Sequence, residues 1–159
     1  MSRFKTPNTP AIRFLKSNDI EFEVFTYNYL ENGGTAQTAE ELNVNEHDVI
    51  KTLVLTCGKE VFLMLMHGDK EVSLKELARK MNCKTVTQCD ASSAFKATGY
   101  ILGGTSPFGT KKTLKIAAED TIFALNSIYI NGGKQGLIIK ISPKVILSLL
   151  NVEKVSVAI

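Results

Sequence analysis

The sequence predicts an α+β domain built on a mixed, mostly antiparallel sheet. Three observations carry that expectation. Runs of alternating or continuous apolar residues lie next to one another across short turns, as at Ile50–Cys57 and Val61–Met66. Short, well-capped helical segments are interspersed among them without the regular βα alternation of a doubly wound sheet. The chain has 159 residues, 44% of them hydrophobic and 22% charged, which suits one globular domain with a substantial core and no internal repeat or linker. We therefore read residues 1–159 as a single domain.

The elements follow in order. Thr9 caps a helix with Pro10 at its first position, and Ala11, Ile12, Phe14 and Leu15 give it an apolar face through Lys16. Ile20–Tyr27 alternates apolar and polar, the period of a half-buried strand. Asn32-Gly33-Gly34 breaks the chain before a short helix from Thr35 to Leu42 and a helical turn at Glu46–Val49. Ile50–Cys57 is a β-branched strand, and Gly58-Lys59 turns it into Val61–Met66, whose apolar character on both faces places it centrally in the sheet. Ser73-Leu74-Lys75-Glu76 is a capping box for a helix reaching about Met81. Lys84–Thr87 reads as a short strand, and Asp90 caps a helix that Gly99 closes. Leu114–Ala117 is a strand followed by a turn at Glu119-Asp120. Ser127–Ile130 and Leu137–Ile141 form a hairpin, Ser142-Pro143 starts a last helix running to Leu150, and Val152–Ile159 adds a final strand.

Bulk features exclude several functions. The net charge of +3 permits a polyanionic partner without demanding one, because the chain lacks a basic arm. No apolar run reaches bilayer length, and Met1-Ser2-Arg3-Phe4-Lys5 lacks the apolar core of a signal peptide, so a cytoplasmic location is expected. Cys57, Cys83 and Cys89 show neither CxxC nor framework spacing and are read as small thiols rather than a disulfide scaffold. His47 and His67 lie beside no nucleophile and are not at metal-ligand spacing, so they read as surface or structural residues and no metal site is expected. There is no P-loop.

What remains is backbone chemistry with lysine. Gly99-Tyr100-Ile101-Leu102-Gly103-Gly104-Thr105-Ser106-Pro107-Phe108-Gly109-Thr110-Lys111-Lys112 is too long and too basic for a minimal turn, and it reads as a ligand-binding loop. Its backbone N–H groups suit an anion nest or an oxyanion hole. Lys111 and Lys112 are either phosphate contacts or the solvated end of a turn. Lys51 interrupts an apolar strand and either faces a ligand or points outward to water. Tyr27 ends its strand as a pocket or an edge aromatic, and Asn131-Gly132-Gly133-Lys134-Gln135-Gly136 is a hairpin turn.

The glycine-lysine loop resembles the signature of the YbaK/EbsC family, free-standing relatives of the editing domain inserted in bacterial prolyl-tRNA synthetases. Thr6-Pro7 with Ala11, the strand ending at Tyr27, Val49-Ile50-Lys51-Thr52-Leu53 and Gly132-Gly133-Lys134-x-Gly136-Leu137 match in order, covering about residues 5–157. The resemblance implies a mixed sheet partly closed into a barrel and surrounded by helices. It implies trans-editing, the removal of cysteine from mischarged Cys-tRNA(Pro) and also from Cys-tRNA(Cys), with no cofactor and no metal. In that branch the substrate's own thiol attacks its ester. It makes Lys51, Gly103 and Gly104 the catalytic positions and Tyr27, Thr105, Ser106, Lys111, Lys112, Gly132 and Gly133 substrate contacts. The implied partners are the acceptor end of tRNA(Pro) and prolyl-tRNA synthetase. The chain departs from many relatives at Ile138, where they carry an acid, and at Tyr29, where they carry histidine. Two rival readings differ in class: a water-using deacylase of another small aminoacyl-tRNA such as Ala-tRNA(Pro), and a non-catalytic module that binds tRNA or a synthetase.

Overall fold

The computed structural model describes residues 7–159, so the Met1–Lys5 start and Thr6 of the first motif lie outside the described residues. Among the described residues, five α-helices and eight strands alternate irregularly. The helices are α1 (Pro10–Ser17), α2 (Gly34–Leu42), α3 (Leu74–Lys80), α4 (Ala91–Thr98) and α5 (Lys144–Leu149). The strands are β1 (Glu23–Thr26), β2 (Val49–Cys57), β3 (Glu60–His67), β4 (Val86–Gln88), β5 (Lys115–Glu119), β6 (Ile128–Asn131), β7 (Leu137–Ile141) and β8 (Val152–Val155). Glu46–Asp48 and Asp120–Ala124 form 3-10 turns, the second where a simple turn was expected.

All eight strands join one sheet in the order β1-β7-β6-β2-β3-β5-β8, with β4 attached to β2. Four of the pairings are antiparallel and three, β2 with β6, β3 with β5 and β5 with β8, are parallel. The expected partial barrel is not formed. The path ends at β1 on one side and β8 on the other, and these two strands do not pair, so the sheet is open. One edge of β2 serves two partners: β6 meets its first residues, Val49 and Ile50, and β4 meets its last, Leu55–Cys57.

Both faces of the central strands are covered. On β3, Leu63 and Leu65 enter one cluster, while Phe62, Met64 and Met66 enter the other. β5 divides the same way, with Ile116 and Ala118 on one side and Ala117 on the other. The larger cluster receives Ala11, Ile12 and Leu15 of α1, Ala94 of α4 and Ile146 of α5. The smaller is closed by Leu77 and Ala78 of α3. This two-sided burial is the physical reason β3 lacks a polar face.

Three helix starts form as their sequences specify, whereas α5 begins at Lys144, with Pro143 in the cap position and no side-chain cap bond. Thr9 Oγ1 accepts from Ile12 N at 3.2 Å and donates to the Gly132 carbonyl at 2.5 Å, tying α1 to the second glycine cluster. Ser73 Oγ accepts from Glu76 N at 3.3 Å, and Asp90 Oδ1 accepts from Ser93 N at 2.8 Å. Two strands are shorter than their apolar patterns. β1 starts only at Glu23, where β7 begins to offer partners. β8 ends at Val155, because the following residues leave the sheet and pair with residues 71–73.

The cysteine reading needs correction. Cys57 at the end of β2 and Cys83 before β4 form a disulfide, with Cα atoms 5.6 Å apart. Their separation of 26 positions hid the pair, since it is the antiparallel return of β4 onto β2 that brings them together. Cys89 is free and buried; burial, then the charge of Asp90, raises its thiol above the ordinary range. No helix among the described residues is long and apolar enough to cross a membrane.

Candidate functional site

A cavity of about 480 Å³ opens where α2 leans over the first half of β2. One wall comes from β2, residues 49–53, with Lys51 at its centre. The facing wall is α2, through Thr35, Ala36 and Thr38. Gly103 and Thr105 bring the first glycine loop to the mouth, and Asn131 and Ile138 complete the wall from β6 and β7.

Polar side chains fix α2 in place. Tyr27 Oη and Thr38 Oγ1 share a hydrogen bond of 2.7 Å. Thr35 Oγ1 donates to Glu46 Oε2 at 2.7 Å, and Gln37 binds both the Leu30 N–H and the Asn28 carbonyl. Helical spacing puts Thr35 and Thr38 on one face of α2, toward the cavity. These residues were missed in the sequence because only this long-range docking gives them a role.

The Lys51 side chain is four-fifths withdrawn from solvent, at 20% exposure, and its Nζ lies 3.7 Å from Glu71 Oε1. The outward-facing alternative for this lysine is therefore set aside. Glu71 and Glu46 are the carboxylates of the lining. Thr105 is 5% exposed, and its hydroxyl, like that of Thr52, has no hydrogen-bond partner. Both threonines line the cavity. A buried hydroxyl without a partner is costly, so both threonines have hydrogen-bonding capacity to offer a polar group in the cavity.

The structure brings Tyr27, Lys51, Gly103 and Thr105 to one cavity, and places the other predicted positions around or away from it. Gly103 has φ +86°, and a side chain there would run into the Tyr29 hydroxyl. Its carbonyl accepts from Asn131 Nδ2 at 2.8 Å. Gly104 lies just behind, its N–H donating to the Ile101 carbonyl at 3.0 Å, and a Cβ on it would come within 3.0 Å of the Gln135 backbone. Ser106 is fully buried and caps its own turn, accepting from Phe108 N at 3.1 Å. Gly132 and Gly133 support this arrangement from beneath: Gly132 N–H donates to the Leu137 carbonyl at 2.8 Å, and Gly133 packs on the Tyr100 ring. Lys111 and Lys112 are exposed outside the lining, and their N–H groups donate to the last carbonyls of α4 at Thr98 and Ala97.

Tyr100 holds the loop from inside. Its hydroxyl donates to the Phe108 carbonyl at 2.6 Å, and burial pushes its phenol well above the ordinary range. His47 and His67 lie outside the lining, stacked with ring centroids 3.8 Å apart. His67 is 1% exposed, with Nδ1 donating to the His47 carbonyl at 2.7 Å and Nε2 within 2.7 Å of the Thr121 hydroxyl. His47 Nδ1 meets Asp69 Oδ1 at 2.9 Å. Burial raises the Asp69 carboxyl, but the hydrogen bond and charge of His47 outweigh it and leave the carboxyl below its ordinary range. The described residues contain no cluster of three or more His, Cys, Asp or Glu side chains able to hold a metal.

An open mixed sheet covered by helices on both faces, with a lysine and a glycine loop meeting at one cavity, defines an α+β fold with a candidate site among the described residues. Comparison with known proteins gives it a family. The aminoacyl-tRNA editing domain family matches residues 31–149. The Enterococcus faecalis protein EbsC, named as a candidate Cys-tRNA(Pro)/Cys-tRNA(Cys) deacylase, is 30% identical over 95% of this chain and 94% of its own length. A proline–tRNA ligase of Desulforamulus reducens is 31% identical over 68% of this chain, which spans only 20% of that enzyme. A crystal structure described as a candidate trans-editing enzyme for prolyl tRNA synthetase superposes with a TM-score of 0.85 at 18% identity, covering 97% of this chain and 99% of that one. The chain belongs to the aminoacyl-tRNA editing domain family.

Proposed function

We propose that this protein is a trans-editing deacylase that clears cysteine from Cys-tRNA(Pro), and also from Cys-tRNA(Cys), by letting the substrate's thiol attack its own ester. One observation carries the reading: the lining has a cation, two carboxylates, hydroxyls and a glycine loop, but neither cysteine nor histidine. A site so furnished positions a reaction whose nucleophile arrives with the substrate. In that reaction the cysteinyl sulfur forms a bond to the ester carbonyl carbon, and the bond to the ribose oxygen breaks. The thiol proton ends on that oxygen, giving a cyclic thioester and uncharged tRNA. The 30% identity to EbsC supports cysteine as the amino acid.

Lys51 is assigned to the developing negative charge or to the terminal nucleotide's phosphate, where a half-buried ammonium acts more strongly than in water. Gly103 brings backbone close to the ester. Gly104 keeps the loop's course, since its own N–H is already donated within the turn. Tyr27, Thr105 and Ser106 shape the pocket and its loop, while Gly132 and Gly133 hold that loop from below. Lys111 and Lys112, exposed beyond the cavity, are assigned to phosphates of the acceptor end. Prolyl-tRNA synthetase is the proposed partner, delivering tRNA that a net charge of +3 retains weakly.

The test is release of amino acid from cysteinyl-tRNA(Pro) and alanyl-tRNA(Pro) by wild type and Lys51→Ala. Wild type is expected to clear cysteine in preference to alanine, and Lys51→Ala to lose roughly a hundredfold in rate, the scale of losing one charge-stabilising group. Equal clearance of both substrates would replace thiol attack with hydrolysis. Binding of tRNA without cleavage of either would replace catalysis with a binding role.

A further inference from the structure

The charged pair at the cavity has one member that this chemistry leaves unused. Glu71 Oε1 stands 3.7 Å from Lys51 Nζ, and its side chain is 83% exposed. The backbone beneath it is firmly held. Glu71 N–H donates to the Ile159 carbonyl at 3.0 Å, and the Ile159 N–H returns a bond to the Glu71 carbonyl at 2.9 Å. Val72 bridges Ala158, and Ser73 N–H donates to the Val157 carbonyl at 2.8 Å. The strap formed by Val157–Ile159 is pinned in turn, because Val157 N–H donates to the carboxylate of buried Glu119 at 2.7 Å. Glu71 thus combines a fixed base with a carboxylate free to change partners, since an ion pair with one exposed member is held only loosely.

We infer that Glu71 receives the α-ammonium group of the aminoacyl ester and makes the site selective for esters that carry a free amine. The inference rests on the deacylase reading above. An aminoacyl ester brings a cation into a cavity that already contains the Lys51 ammonium, and the two repel unless an anion lies between or beside them. Two carboxylates line the cavity. Glu46 already accepts the Thr35 hydroxyl at 2.7 Å. Ile138 on the far wall is 3% exposed and offers no acceptor. Glu71 is the lining carboxylate that pairs with Lys51, and its exposed oxygens have room for a new partner, so that one anion offsets both cations. Glu71 then reads the substrate's amine, while Lys51 is held by its own place in β2.

The experiment compares cysteinyl-tRNA(Pro) with 3-mercaptopropionyl-tRNA(Pro), which keeps the thiol and the ester but lacks the amine. Glu71→Gln is expected to lower kcat/KM on the cysteinyl ester about tenfold, the scale of one charge-assisted hydrogen bond, chiefly through KM. It is expected to leave the amine-free ester unchanged, and Glu71→Asp to recover part of the loss. Equal loss on both esters, or no loss on either, overturns the assignment while leaving the deacylase reading intact. A wild type that cleaves neither ester overturns both.

Discussion

Gly109 shows how strictly single positions are fixed around the site. It has φ +65°, and a Cβ there would come within 2.5 Å of the Pro10 carbonyl oxygen, at the start of α1. Gly58 has nearly the same φ, +61°, with nothing within 4 Å of the same imagined atom. Gly58→Ala should therefore cost only the left-handed backbone term, about 1 kcal/mol. Gly109→Ala must also displace α1 from the loop and should cost about 2–3 kcal/mol or more. Chemical denaturation of the two variants measures the difference, and equal losses would show that the loop and α1 separate freely. At this scale the sequence was readable where a residue type clashes with its surroundings. Lys51 in an apolar strand and the crowded glycines both announced themselves. Thr35, Thr38 and Glu71 did not, because an exposed-looking threonine or glutamate becomes a pocket residue only after α2 and the strap at 157–159 have docked.

Among the elements, α4 gives the clearest handle on pH, because it ends in the glycine loop. Its cap Asp90 accepts from both the backbone N–H and the hydroxyl of Ser93, and these bonds hold its carboxyl below the ordinary range. The charged cap therefore stabilises the fold fully above the unfolded carboxylate pKa near 3.9. That contribution fades as pH falls through the lower folded value. Asp90→Asn still caps but does not titrate, so its stability should converge with that of wild type as acid is added. Urea midpoints at pH 7 and pH 3 measure this, and a constant gap between the two proteins would remove the charge from the explanation. Helices were legible because Thr9-Pro10, Ser73-Glu76 and Asp90-Gly99 mark their ends chemically. Strand ends were not, because they are set by partners: β1 waits for β7, and β8 stops where the chain turns away to residues 71–73. The disulfide escaped notice for the same reason, since only the return of β4 along β2 brings Cys57 to Cys83.

On the scale of the molecule, β3 is shared by two packed clusters, so neither should unfold alone. Hydrogen exchange at Leu63–Met66 is expected to proceed only through global opening, at the free energy obtained from denaturation. Faster exchange at these amides would mean that the faces are independent. The sequence conveyed this sandwiching through the unbroken apolar run of β3, but it did not reveal whether the sheet closes, which depends on whether the distant strands β1 and β8 meet. The cavity stands partly apart from this framework. Its strand wall is shared with the core, through buried Val49, Ile50 and Ile138, whereas its α2 wall and mouth belong to neither cluster. Selection can therefore act on the exposed part of the pocket with less effect on what keeps the chain folded than it would have at the strand wall. Replacements at exposed lining positions such as Ala36 draw little on a narrow stability margin. What the pocket accepts can thus change through replacements that would unfold the chain if the same side chains also formed the core.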